Sequence, residues 1–98
     1  DKDSLLAAMD VLRATHPDMA TLLASPDHAE GKVMIAAAVP PSLIEQGLKA
    51  GDWVKTAAQA CGGGGGGRPD MAQAGGKEPA KTGEAIAAAE AFASETLG

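Results

Sequence analysis

Six consecutive glycines, Gly62 to Gly67, stand between Cys61 and Arg68, and no other stretch limits the fold so strongly. A glycine run gives no side chain to a core and is disfavoured inside helices and strands alike. Ordering six of them costs about 3–6 kcal/mol relative to alanine, against roughly 5–15 kcal/mol of total stability for a typical domain. Such a run is either a flexible spacer or a bare backbone surface. The segment after it is compact and non-repetitive, Arg68-Pro69-Asp70-Met71-Ala72-Gln73-Ala74, and the run falls within what reads as one domain, between a helix and a strand. We read it as a backbone surface at that junction, where unhindered N–H groups can cradle an oxyanion or let a ligand backbone approach.

The remaining residues must build a core from small side chains. Alanine accounts for 22 of the 98 residues, and Trp53 and Phe92 are the only aromatic anchors. Elements must therefore approach closely. Leu5, Leu6, Met9 and Leu12, with the stem of Arg13, follow helical spacing and predict a helix over 3–15, ended by His16-Pro17. Met19–Ser25 and Lys32–Val39 read as two strands of a hairpin around the polar turn between them. Ser42 and Glu45 match a capping box, and Gly47 and Gly51 interrupt that short piece. A firmer helix begins near Asp52, with Val54, Ala57, Ala58 and Cys61 at i, i+3, i+4, i+7. Asp70–Ala74 predicts a third strand, closed by Gly75-Gly76. A last helix, from Pro79 or Thr82 to Thr96, presents Ile86, Ala89, Ala93 and Leu97. The expected fold is a small α+β domain: a mixed or antiparallel sheet of three or four strands with helices packed on one face.

Chemistry is sparse. Gly62, Gly64 and Gly67 satisfy G-x-G-x-x-G, but any six glycines do, and a helix rather than a strand precedes them. A P-loop requires Lys-Ser/Thr after the last glycine, where Arg68-Pro69 stands. His16, His28 and Cys61 lack zinc spacing, and no pair of carboxylates suggests acid–base catalysis. No catalytic residue, metal site or cofactor is expected. Cys61 reads as a small core residue. Arg68, directly after the glycines, suits a phosphate or carboxylate and equally suits an ion pair with Asp70. Lys77 and Lys81 add a small positive rim. The net charge of −5 argues against a broad basic nucleic-acid surface, so any such contact must be local. One cysteine and a longest apolar run of seven residues, Val33 to Val39, fit a soluble cytoplasmic protein with no membrane partner. The chain opens inside a helical pattern without an initiator Met, which suggests a domain excised from a longer protein.

The stretch from Gly62 to Gly76, followed by Lys77-Glu78-Pro79, resembles the signature of the C-terminal domain of alanyl-tRNA synthetases, a DHH-associated type of domain. The likeness extends over essentially the whole chain. Members in single-strand nucleases and phosphoesterases carry a histidine after a shorter glycine run; Arg68 takes that place here, which favours the synthetase branch. The resemblance implies residues 1–98 as a single C-terminal tRNA-binding domain, with 1–16 the end of an upstream oligomerisation helix. It implies a non-catalytic part of an ATP-dependent alanine–tRNA ligase that helps position tRNA(Ala) for aminoacylation and editing. Its partners would be tRNA(Ala), the remaining domains of the synthetase and a second copy in a homodimer, with no DNA. ATP and zinc would belong to other domains. By the same resemblance Gly64, Gly65, Gly66, Gly67, Arg68, Gln73 and Lys77 are the expected RNA-facing residues, while Met71 and Ala72 are expected in buried strand. The alternatives are a dimerisation or structural module with little RNA affinity, and the nucleic-acid-binding half of a DHH-type phosphoesterase.

Overall fold

The computed structural model describes residues 2–97. In chain order it contains α1 (Lys2–Thr15), β1 (Thr21–Asp27), β2 (Lys32–Ala38), α2 (Pro41–Glu45), α3 (Ala50–Ala60), β3 (Gly64–Gly67), β4 (Met71–Gly76), a 3₁₀ turn (Pro79–Lys81) and α4 (Thr82–Leu97). The strands form one sheet in the order β1-β2-β4-β3, and every pair is antiparallel. The α+β architecture and the four-strand count agree with the sequence reading.

The helices divide between the two faces, where one face was expected. Successive β2 side chains point to opposite sides, and both sides of this strand are apolar. Val33, Ile35 and Ala37 join the larger core with α3 and α4, around Leu48, Trp53, Val54, Ala58 and Ala89. Met34, Ala36 and Ala38 meet Leu5 and Met9 of α1 instead. An unbroken apolar run is what a strand covered on both faces requires. The two helices of the larger core are pinned together by a buried hydrogen bond, Trp53 Nε1 donating to the Ala89 carbonyl oxygen at 2.9 Å. The inner face of α4 is Ala85 and Ala89, with Phe92, Ala93 and Leu97 partly buried against the core; Ile86, expected there, is not among them.

Several boundaries differ from expectation for local reasons. Pro41 opens α2 and Pro40 caps it, so the Ser42–Glu45 capping box does not form; a proline ring already holds the φ of a first helical turn. α3 begins at Ala50, whose N–H donates to the Pro69 carbonyl at 2.8 Å, and it therefore includes Gly51. β1 runs on through Pro26, which an edge strand tolerates because one side of its backbone has no partner. Gly75 and Gly76 belong to β4 rather than ending it. A Cβ on Gly76 would collide with Cys61 Sγ, so the strand continues beneath a fully buried cysteine.

Candidate nucleic-acid interface

The glycine tract is strand as well as surface. Gly64 to Gly67 pair with Gly75 to Ala72 of β4, making a hairpin whose turn is Pro69-Asp70 and whose closing hydrogen bond runs from Arg68 N–H to the Met71 carbonyl at 3.2 Å. This corrects the expectation of a non-strand junction. Pairing satisfies backbone groups that a loop would leave to water, and it needs no side chain.

Alternation gives the tract two unlike faces. On the α3 face there is no room: a Cβ at Gly67 would stand 2.9 Å from Ala72 Cβ, and one at Gly65 2.6 Å from Ala74 Cβ. A Cβ at Gly63 would run into the Gly75 carbonyl oxygen, and one on Gly51 would lie 2.8 Å from the Gly67 carbonyl oxygen. Those glycines are explained by packing. On the other face a Cβ at Gly64 or Gly66 would meet nothing within 4 Å, and neither residue has a positive φ. Nothing within the fold asks them to be glycine.

That second face is the one α1 covers over β1 and β2. The open part carries Gly64 and Gly66, with Gln73 paired beside Gly66 and Gly75 beside Gly64, all four exposed. It is a strip of bare peptide planes with one amide side chain. β3 is also the sheet edge, so the backbone groups on its outer side have no strand partner.

Of the seven expected residues, the fold brings Gly64, Gly66, Gln73 and Arg68 to this strip. At Gly65 and Gly67 the substituent positions on the α-carbons point instead at Ala74 and Ala72 of β4. Lys77 lies at the opposite end of the hairpin from Arg68, where its N–H donates to the Cys61 carbonyl at 2.9 Å. Arg68 is engaged: its Nε and one terminal nitrogen donate to the two Asp70 carboxylate oxygens at 3.2 and 3.1 Å. Its side chain is 76% exposed, which keeps the pair weak and exchangeable.

Sequence reasoning missed one cation. Arg13, credited only with an apolar stem, donates from a guanidinium nitrogen to Met71 Sδ at 3.4 Å. α1 thus carries a positive charge to the same face as Arg68 and Gln73. The one available signal was its place at the end of a helix whose Leu5–Met9 stripe had to lie on something.

The histidines do not converge, and among the described residues no group of three or more His, Cys, Asp or Glu could hold a metal ion. Cys61 is buried, which pushes its thiol above the ordinary 9.0, with Glu78 nearby adding in the same direction. It is no exposed thiolate. Among the described residues no helix is long and apolar enough to cross a membrane.

The chain is a DHHA1 domain: the model of that family matches residues 1–95, and the chain belongs to it. Within the family it matches the C-terminal region of alanyl-tRNA synthetases. It is 47% identical over 97 residues to an alanine–tRNA ligase of Bacillus subtilis and 44% identical over 97 residues to that of Oceanobacillus iheyensis. Each alignment covers 99% of this chain and 11% of the relative, so the chain spans about a tenth of their length. Among solved structures it resembles the C-Ala domain of Aquifex aeolicus alanyl-tRNA synthetase, with a TM-score of 0.78 at 28% identity, covering 100% of this chain and 83% of that one.

Proposed function

We propose that this chain is the tRNA-contacting, non-catalytic C-terminal domain of a cytoplasmic alanine–tRNA ligase. In this reading it helps place tRNA(Ala) for chemistry carried out, with ATP and zinc, by other domains of the same protein. The observation that carries this is the pair Gly64 and Gly66, whose missing side chains serve no packing inside the fold. Bare peptide planes let a sugar–phosphate backbone come closer than any side chain would permit. Edge N–H groups of β3, the Gln73 amide and the guanidinium groups of Arg68 and Arg13 offer donors around them. With a net charge of −5, attraction is confined to this face, and the domain adds an increment of affinity to a larger enzyme.

The test is equilibrium binding of tRNA(Ala) by the chain and by Arg68→Ala across low to moderate salt. Saturable binding is expected, weaker in the variant, with a slope of log K against log salt shallower by about one. No saturable binding by the unaltered chain at low salt, together with a dimer in sedimentation, would move the role to assembly.

A further inference from the structure

A cavity of about 380 Å³ lies at the end of α1, lined among others by Arg13, His16, Met19, Pro40, Pro41 and Asp70. It adjoins the glycine face through two shared residues. Arg13 borders it and also reaches Met71; Asp70 borders it and also holds Arg68. We propose that this cavity receives a single unstacked nucleotide of the RNA whose backbone lies on the glycine strip, an inference that rests on the RNA-binding reading above.

Its lining fits that occupant in three respects. The volume lies at the small end of ligand-pocket sizes, roughly 300–1,000 Å³, which suits one nucleotide rather than a peptide or a larger cofactor. Much of its wall is apolar: the rings of Pro17, Pro40 and Pro41 with Val39, and Met19, a large apolar side chain left 48% exposed. Its polar lining residues are of both kinds, the cationic Arg13 and the imidazole of His16 together with the carboxylate of Asp70. A phosphate alone would need no apolar wall, and an apolar side chain would need no charged rim. A nucleobase with its ribose phosphate uses both, and RNA is read mainly at bases that have left the stack.

The methionines report on the two parts separately. In the chain labelled with ¹³C at the methionine methyls and titrated with a tRNA(Ala) transcript, Met71 senses the sheet face, Met19 the cavity and fully buried Met9 the core. The expected result is that Met71 and Met19 both shift, Met19 upfield from the ring current of a base, while Met9 stays. Ala14→Phe, which plugs the cavity from an exposed helix position, is expected to weaken RNA binding about tenfold with the salt slope and melting temperature unchanged. If Met71 shifts while Met19 does not, and Ala14→Phe binds normally, the nucleotide site is refuted and the RNA interface survives. If neither methyl moves and no binding saturates, both readings fall.

Discussion

Gly51 on α3 and Gly67 on β3 face each other so closely that a methyl group on Gly51 would stand 2.8 Å from the Gly67 carbonyl oxygen. A helix glycine is ordinarily a defect worth about 1 kcal/mol against alanine. Here that loss is what lets α3 lie directly on a strand of glycines.

Gly51→Ala is therefore expected to destabilise the chain by about 1–2 kcal/mol, the steric cost exceeding the helix-propensity gain. Gly83→Ala, in the first turn of α4 with nothing within 4 Å, should stabilise it by up to about 1 kcal/mol. Urea melts of the two variants check this, and shifts of the same sign would contradict the packing described.

Along the tract, tolerance should alternate. Gly63→Ala and Gly67→Ala push a methyl into β4 and are expected to cost about 1–3 kcal/mol each. Gly66→Thr adds a strand-favouring side chain into open space and should leave stability unchanged or raise it by up to about 1 kcal/mol. The same Gly66→Thr should impair tRNA(Ala) binding, since it stands on the exposed strip. A protein both stable and fully able to bind RNA would remove the functional meaning of that glycine.

Trp53 lies buried in the core shared by α3 and α4 and donates a hydrogen bond from one helix to the other. Trp53→Ala is expected to cost about 3–5 kcal/mol, a large share of the roughly 5–15 kcal/mol that holds a typical domain together. Trp53→Phe keeps the ring and loses the bond to the Ala89 carbonyl, at about 1–2 kcal/mol. Equal losses in thermal melts would mean that the hydrogen bond, not the volume, joins the helices.

Cys61 gives a pH signature. Burial first, and Glu78 second, raise its thiol pKa in the folded chain, so the folded state holds that proton more tightly than the unfolded one. Its contribution is fully present below the ordinary 9.0 and is lost as pH rises from there through the higher folded value. Cys61→Ala should show a shallower decline in melting temperature above pH 9 than the parent chain, and iodoacetamide should react slowly at neutral pH. Rapid alkylation of the folded chain would contradict the burial.

Much of this was legible in residue spacing. The Val33–Val39 run announced a buried strand, and Leu5, Met9, Val54, Ala57 and Ala58 marked helix faces that do pack inward. The glycine–arginine stretch pointed to the right family. Three features could not be read. Glycines have no side chains to alternate, so β3 carried no strand pattern. Pro40-Pro41 set the start of α2 through ring geometry and overrode a plausible Ser42 cap. The place of Arg13 depends on which face of the sheet α1 chooses, and that is decided by contacts between residues far apart in sequence.

A strand of identical residues has nothing of its own to set its register, and so its two ends must. At one end the Cys61 carbonyl accepts from both Lys77 and Glu78 N–H groups, at 2.9 and 3.0 Å; at the other, Arg68 N–H closes the turn on Met71. The six glycines between them act as a ruler. Insertion or deletion of one would leave composition almost unaltered, yet would exchange the crowded positions with the open ones and pull the Arg68 turn off its mark. In this segment it is the count of residues, more than their identity, that heredity has to copy correctly.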